Sequence, residues 1–122
     1  MTKLKKKKGK VKLNKQADIL WSKYVKKPGY CLKCKRRPPL IQLHAAHIYP
    51  KGMYRNHPLR CDPLNGIPLC YACHMHWAHK HPIEFTEWLE VEIPGRREYL
   101  KSEAMVIKKF DATEAIRQLT IT

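Results

Sequence analysis

CLKC at residues 31–34 and CYAC at residues 70–73 share the spacing Cys-x-x-Cys. A two-residue spacer folds both thiolates of a pair toward one point, and two such pairs supply the four sulfur ligands of a tetrahedral zinc site. The alternative is four reduced cysteines without a metal, which two matched spacings make the weaker interpretation. We therefore predict a structural Zn²⁺ ion that joins the two segments. Its ligands would be Cys31, Cys34, Cys70 and Cys73.

The start of the chain and the fifth cysteine indicate the redox state of these thiols. Residues 1–12 (MTKLKKKKGKVK) are lysine-rich and no apolar run follows them, so we expect no signal peptide. The apolar stretches are only a few residues long, so neither a membrane span nor a membrane partner is expected. The thiols are therefore predicted to be reduced and intracellular. Cys61 is interpreted as a small buried residue rather than a nucleophile.

The net charge of +15 is unevenly distributed along the chain. Residues 1–15 hold eight lysines and no acid, and residues 19–83 hold eleven Lys or Arg and the single acid Asp62. A basic central region of this kind is typical of proteins that hold phosphate groups. A solubilising surface or a ribosomal-type RNA binder is the alternative to a DNA partner on charge alone.

The residue pattern predicts one domain of the mostly helical α+β class. Residues 1–12 are expected to be a disordered basic tail, and residues 13–122 a single domain. A zinc-stapled module would occupy residues 30–80, and helices would follow over residues 83–122. An N-terminal apolar helical face runs from Leu13 to Val25.

Short strands and helices are expected around the cysteines. Residues 40–48 read as a strand that ends at His47, and a second strand is expected over residues 66–69. The final Cys-x-x-Cys is expected to open an α-helix. After Pro82 we predict a helix up to Pro94-Gly95, a second over residues 96–110, and a third that Asp111 caps.

Histidines beside these elements suggest phosphodiester chemistry. Such hydrolysis needs a base for water, a Lewis acid at the phosphate and positive charge around the transition state. His47 is the candidate base, because neutral imidazole titrates near pH 6.5. His74 follows Cys73 directly and is the candidate ligand of a catalytic divalent metal. Asn65 is expected to hold the His47 ring, and Arg60 or Arg55 to clamp the phosphate.

Three segments carry a family resemblance: CLKC (31–34), LHAAHIYPKG (43–52) and LRCDPLNGIPLCYACH (59–74). Together they resemble the HNH endonucleases, also called ββα-metal or His-Me finger nucleases. The NinG/Rap-like phage recombination nucleases are the most similar group, over about residues 13–100. The resemblance implies a ββα fold, Mg²⁺ or another divalent ion such as Mn²⁺, and DNA, often branched, as substrate. It also implies DNA recombination in the cytoplasm of a phage-infected bacterium.

Carried onto this sequence, the resemblance makes His47 the general base, Asn65 the central asparagine and His74 the helix ligand. Many members place a metal ligand directly before the base, where this chain has Ala46. His44 is the candidate replacement, and a surface histidine without a ligand role is the alternative. The later histidines, His76, His79 and His81, are interpreted as packed or solvated. The residues expected to bind nucleic acid are Lys51, Arg55, Arg60, Arg36 and Arg37.

Two functions of different classes remain at this point. The first is a metal-dependent DNA endonuclease, and the second is a zinc-knuckle protein that binds nucleic acid without chemistry. The ordered spacing of His47, Asn65 and His74 relative to the cysteines favours the enzyme. The C-terminal helices are expected to form a homodimer, to pack on the module or to hold a second DNA arm.

Overall fold

The computed structural model of the chain describes the backbone of residues 3–121 and the side chains of residues 8–121. Two strands, four α-helices, a π-helix and two 3-10 turns make up this part. In chain order they are α1 (Lys3–Val25), β1 (Leu43–His47), the turns Pro58–Cys61 and Pro63–Asn65, β2 (Gly66–Cys70), the π-helix Ala72–Ala78, α2 (Pro82–Glu92), α3 (Arg96–Ala104) and α4 (Ala112–Ile121). The mostly helical α+β class is confirmed. Among residues 3–121, no helix combines the length and the apolar character that crossing a bilayer requires.

Helix α1 begins earlier than the sequence pattern predicted. The backbone is helical from Lys3, so the disordered tail expected over residues 1–12 is corrected from that residue onward. Residues 1 and 2 lie outside the described part of the chain. Lysine is a good helix former, and extending a helix from a packed segment costs less than starting a new one. The packed segment here is the turn from Trp21 to Val25, both of which are buried.

Strands β1 and β2 form an antiparallel pair in the places that the sequence predicted. His47 lies opposite Gly66, and His44 lies opposite Leu69. Every residue of β2 is buried, and this strand contacts both α1 and the π-helix. Gly66 allows the close approach of α1, because a Cβ there would lie 2.5 Å from Cζ2 of Trp21. The end of β1 is therefore held directly beneath α1.

Two buried clusters hold the fold together, and β1 lies between them. Ala46 packs in the first cluster, and its neighbour Ala45 packs against the second. The first joins the hairpin to the π-helix and α2, and its buried members are Cys31, Ala46, Ile67, Leu69, Cys70, Ala78 and Leu89. The second joins α1 to α4, and its buried members are Ala17, Trp21, Val25, Cys61, Ala112 and Leu119. His47, the next residue of β1, ends the strand between these two layers.

The C-terminal helices pack onto the module. Helix α2 is separated from α3 by a turn in which Gly95 has φ 86°, a left-handed value that favours glycine. The helix expected over residues 96–110 ends at Ala104, where a run of exposed residues with two β-branched side chains follows. Asp111 caps α4, since its Oδ1 accepts a hydrogen bond from the backbone N–H of Glu114 at 3.2 Å. Helix α4 then lies against α1.

Candidate metal centres and active-site cleft

The four cysteines of the paired spacings form one cluster. Their sulfur atoms all lie within 4.8 Å of one another, and Sγ of Cys34 is 3.8 Å from Sγ of Cys70. One pair comes from the loop after α1, and the other spans the end of β2 and the π-helix. Four thiolates are a typical donor set for structural zinc. The cluster could therefore hold a metal ion such as zinc, which would tie the loop to the hairpin.

Donor groups already point at the sulfur atoms. The backbone N–H of Cys34 lies 3.4 Å from Sγ of Cys31, and the N–H of Cys73 lies 3.4 Å from Sγ of Cys70. Burial opposes ionisation of Cys34, but hydrogen bonds, first from the Arg36 side chain, lower its pKa to about 6. Burial raises the pKa of Cys73. A bound cation would allow all four thiols to ionise together, since it neutralises their mutual repulsion.

His47 is held by a backbone carbonyl in one tautomer. Its Nε2 lies 2.9 Å from the carbonyl oxygen of Arg60. A carbonyl oxygen only accepts hydrogen bonds, so Nε2 carries the proton in this arrangement. The lone pair of the neutral ring is therefore on Nδ1, which is the nitrogen able to accept a proton from water.

Trp21 of α1 determines the plane of the His47 ring. The two rings stack with centroids 3.9 Å apart and an interplanar angle of 15°. Burial lowers the pKa of His47, and the nearby positive charge of Lys51 acts in the same direction, against the effect of the Arg60 carbonyl. The ring is consequently neutral at neutral pH, the form that a general base requires.

His44 and His74 bring two ring nitrogens together. Nδ1 of His44 lies 3.0 Å from Nδ1 of His74. Two nitrogens each about 2.1 Å from one ion lie about 3.0 Å apart at a right angle and about 3.4 Å apart in a tetrahedron. In the structure the two rings share a hydrogen bond, in which one Nδ1–H donates to the other Nδ1, and the same spacing suits two ligands of one cation. His44, the sequence-predicted replacement for a ligand at Ala46, thus lies beside His74, the candidate helix ligand.

The π-helix brings a third histidine, His79, beside His74. Its hydrogen bonds join residues five apart, as between the N–H of His79 and the carbonyl of His74 at 3.1 Å. In the expected α-helix a residue five positions later points about 140° away, whereas the wider turn of a π-helix brings it close. The rings of His74 and His79 are 4.6 Å apart, edge to face. His79 therefore packs against His74.

One cleft of about 650 Å³ is lined by His47 of the strand and His74 of the π-helix, whereas His44 is not part of its lining. Its lining includes His47, Lys51, His74, His79, Phe85 and Arg97. Burial lowers the pKa of His74 to about 4, and the neighbouring histidines contribute to this shift. The His74 ring is therefore neutral at neutral pH, with a nitrogen lone pair available. A candidate base and a candidate ligand thus share one cleft.

Asn65 is fully buried and holds the loop rather than the base. Its Oδ1 accepts from the N–H of Tyr49 at 2.7 Å, and its Nδ2 donates to the carbonyls of Tyr49 at 3.1 Å and Leu59 at 2.8 Å. The expected contact with the His47 ring is corrected, since the Arg60 carbonyl takes that place. Asn65 ties the chain just after His47 to the chain just before Arg60, so it acts as a positioning residue.

Arg60 is also used within the protein. Its side chain is largely buried and donates to both carboxylate oxygens of Asp18, at 3.0 and 2.8 Å. Its Nη1 donates to the carbonyl of Arg55 at 3.2 Å. Each of its three side-chain nitrogens is thus hydrogen-bonded within the protein, and Arg60 is not part of the cleft lining. The phosphate clamp at Arg60 stays a prediction. Although burial opposes it, hydrogen bonds from Arg60 and Lys51 keep the pKa of Asp18 below its usual range.

The other predicted phosphate-binding residues lie in two regions. Lys51 lines the cleft, and its side chain remains 43% exposed while it pairs with Asp18. Arg55 is exposed on the loop after it. Arg36 and Arg37 are exposed beside the cysteines, where Arg36 donates to a sulfur atom and Arg37 lies over the Tyr30 ring. Of the five side chains predicted to bind nucleic acid, Arg60 included, Lys51 alone lines the cleft.

Sequence reasoning missed three residues of this region. Asp18 had a visible signal, since it is the only acid before Asp62 in a strongly basic stretch. His79 had the signal of a nearby histidine, but only the π-helix brings it to His74. Arg97 of α3 lines the cleft and pairs with Glu90. Nothing in the local sequence indicated it, because its position depends on the turn between α2 and α3.

Comparison with known proteins gives no independent assignment of this cleft. No family model, no curated protein and no solved structure matches the chain. The function of the cleft is therefore inferred from its own geometry, and the motif resemblance remains an expectation.

Proposed function

We propose that this protein is a metal-dependent endodeoxyribonuclease of the HNH (ββα-metal) type, which hydrolyses phosphodiester bonds in DNA. The observation that carries the proposal is the cleft shared by His47, whose Nδ1 is free, and His74, whose Nδ1 meets that of His44. Phosphodiester hydrolysis uses a fixed proton acceptor beside a cation site. The antiparallel strands followed by a helix that carries His74 are consistent with a ββα layout.

His44 and His74 would hold the catalytic divalent ion, and oxygen atoms of the phosphate and of water would complete its coordination. Imidazole nitrogens suit Mn²⁺ and later transition ions better than Mg²⁺, which prefers oxygen. We therefore expect Mn²⁺ to support more activity than Mg²⁺ at equal concentration. When bound, the ion supplies positive charge that stabilises the transition state at the phosphate and the leaving oxygen.

His47 would act as the general base. Its Nδ1 accepts a proton from the water that attacks phosphorus, and the Arg60 carbonyl accepts a hydrogen bond from Nε2–H throughout. That carbonyl also stabilises the imidazolium that forms, because an oxygen dipole faces the new positive charge. Trp21 keeps the ring plane constant during the transfer.

A zinc ion on the cysteine cluster would have a positioning role. Cys73 belongs to the cluster and directly precedes His74. Fixing the cysteine would therefore fix the start of the π-helix and the direction of the His74 ring. The chemistry of the cleft and the structural metal are thus linked through one peptide unit.

DNA is the substrate that the charge favours. The chain carries a net charge of +15, and Lys51 and Arg97 are basic residues of the cleft lining. Branched or single-stranded DNA in phage recombination is the substrate class that the motif resemblance suggests. RNA is the competing polyanion, and a matched RNA duplex therefore belongs in the assay.

The test is nicking of supercoiled plasmid and cleavage of single-stranded and branched DNA with Mn²⁺ or Mg²⁺. We expect the wild-type protein to cut, and His47→Ala to lower the single-turnover rate by at least about 100-fold, the scale of general-base catalysis. His76→Ala is the matched control, since His76 is exposed on the same π-helix and contacts Tyr71. If His47→Ala cuts as fast as the control, the base assignment is wrong.

A protein that binds DNA but cuts none of these substrates with any divalent ion would instead be a non-catalytic zinc-knuckle binding protein. That result would leave the cysteine cluster unaffected and remove the role proposed for the cleft. Equal cleavage of RNA and DNA would retain the chemistry and correct the substrate.

A further inference from the structure

The first part of α1 forms a lysine-rich arm that precedes the buried core. Residues 3–16, here called the lysine arm, contain eight lysines and no acid. The backbone of this segment is helical. Its described side chains are exposed, apart from the partly exposed Asn14, and the first buried residue of α1 is Ala17. Over residues 8–16 the arm is therefore a largely exposed helical surface of one charge sign.

The lysine arm continues into the part of α1 that contacts two residues of the cleft lining, Lys51 and His47. Asp18, two residues after the arm, accepts a hydrogen bond at 3.0 Å from Lys51, which lines the cleft. Trp21, one turn later, stacks on His47. A helix rises about 1.5 Å per residue, so the backbone of Lys3 lies about 22 Å along the axis from that of Asp18. The C-terminal end of the arm thus lies near the candidate active site, and its N-terminal end extends away from it.

The charge pattern of the arm favours an anionic partner. Lys8 and Lys12 are four residues apart, and Lys12 and Lys15 are three apart, spacings at which like charges repel on a helix. The positive end of the helix dipole lies at the same end and adds to this repulsion. None of these lysines forms an ion pair with an acid in the described part of the chain.

We infer that the lysine arm binds the phosphate backbone of the DNA duplex that flanks the bond held in the cleft. This inference rests on the proposed function, because it takes the cleft as the place where DNA is held. A length of about 22 Å corresponds to about six base pairs at the 3.4 Å spacing of a DNA strand. The arm therefore favours a substrate with several base pairs of duplex on one side of the cut.

The test measures binding, not cleavage. His47→Ala protein is titrated without divalent ions against 30-base-pair and 8-base-pair duplexes by fluorescence anisotropy, over a range of salt concentrations. In this background the arm variant is K8Q/K10Q/K12Q. The matched control is K101Q/K108Q/K109Q, which removes the same charge from three exposed lysines near the other end of the chain. Glutamine retains helix propensity close to that of lysine.

We expect the arm variant to bind the long duplex at least about tenfold more weakly at moderate salt. Each lost phosphate contact lowers the slope of log K against log salt by about 0.9, so the slope should fall by about 3. The control should change the slope by less than about 1, and the arm variant should lose less affinity for the short duplex, which is too short to cover the arm and the cleft together. If both triple variants lost the same affinity for the long duplex, the inference would be overturned, since DNA would then respond to the net charge of the protein and not to the arm.

A second variant tests the helix itself. Val11→Pro interrupts the arm without removing charge, at an exposed position before the first buried residue of α1. We expect this variant to bind the long duplex at least about threefold more weakly. An affinity equal to that of the wild-type protein would show that the charges suffice without the helix, and it would overturn the inference of a rigid arm. If the K8Q/K10Q/K12Q variant lost binding to anionic vesicles but kept its affinity for DNA, the arm would bind a membrane, and the inference would be overturned. Arm-dependent binding by a protein that never cuts DNA would remove only the proposed nuclease function.

Discussion

His47 enters the cleft as a neutral ring because a carbonyl holds Nε2–H and burial disfavours a second proton. Protonation of Nδ1 at low pH would remove the lone pair that accepts the proton from water. Since burial lowers the pKa of His47, we expect the cleavage rate to rise with pH and to level off below the usual histidine value of about 6.5. Single-turnover nicking at saturating Mn²⁺ between pH 4.5 and 8.5 measures this. A rate that still rises steeply above pH 7.5 would point to a different proton acceptor.

Asp18 connects the wall of the cleft to the base. Asp18→Asn removes the negative charge that pairs with the largely buried guanidinium of Arg60. The backbone carbonyl of the same residue accepts the hydrogen bond from His47. We expect a loss of about 1–3 kcal/mol in the free energy of unfolding. We also expect an apparent pKa of cleavage that moves further down, because the Asp18 charge raises the pKa of His47. Urea denaturation and the pH–rate profile measure the two effects.

Glu98→Gln is the control for this change, since it removes one negative charge from an exposed side chain of α3. Only Asp18→Asn should alter the pH–rate profile. If the two variants have the same profile and the same stability, Asp18 has no positioning role.

At the scale of single residues, His47, His74 and His44 were predicted from local signals, and their roles as base and ligands stay proposals. His74 follows a cysteine of the cluster, and His47 ends a short strand. The partner of the His47 ring was assigned wrongly to Asn65. That partner depends on the Arg60 backbone, which the loop between the strands brings back to β1. Contacts of this kind are set by tertiary packing, so a residue pattern does not contain them.

At the scale of elements, the packing of α1 on the hairpin depends on Gly66. A Cβ at this position would lie 2.5 Å from Cζ2 of Trp21 and 2.6 Å from Cγ2 of Val25, with both partners buried. Gly66→Ala should therefore destabilise the protein by about 1–3 kcal/mol, the scale of overpacking. It should also move Trp21 away from His47 and lower the cleavage rate.

Urea denaturation and single-turnover nicking test this prediction. Gly52→Ala is the matched control, because a Cβ at Gly52 meets no atom within 4 Å. Both glycines lie outside the left-handed region, so only the available space distinguishes them. Equal stability of the two variants would show that α1 is not held against β2 in this way.

Elements with a clear residue period were predicted well, and those governed by context were not. The strands and the packed part of α1 followed from short apolar patterns. The π-helix was missed because its residue types do not differ from those of an α-helix. The helical backbone from Lys3 was missed because a lysine run was interpreted by composition alone. Helix α3 ended early, before Val106 and Ile107, whose β-branched side chains disfavour helix.

At the scale of the whole molecule, a metal on the cysteine cluster would join the two halves of the zinc module. Structural zinc typically contributes on the order of 10 kcal/mol to folding, far more than a small domain can lose. We expect a strong zinc chelator to remove one equivalent of zinc and to abolish the cooperative thermal transition. A reductant alone should leave the transition unchanged, since the cysteines form no disulfide. Metal analysis with far-UV circular dichroism measures both.

A protein that keeps its transition temperature after the zinc has been removed would contradict this role for the cluster. Contacts between α1 and α4 do not involve the four cysteines. Some helical signal is therefore expected to remain in the chelated protein, and the relevant readout is the loss of cooperativity.

The Mn²⁺ dependence of the nicking rate in His47→Ala and His74→Ala distinguishes loss of the base from loss of a metal ligand. His47→Ala should keep the wild-type Mn²⁺ midpoint while its maximal rate falls at least about 100-fold, because only the base is lost. His74→Ala should need at least about tenfold more Mn²⁺ to reach its half-maximal rate, because a ligand is lost. A His47→Ala protein that cuts at the wild-type rate, or a His74→Ala protein with an unchanged midpoint, would contradict the assignment of a base and a metal ligand to this cleft.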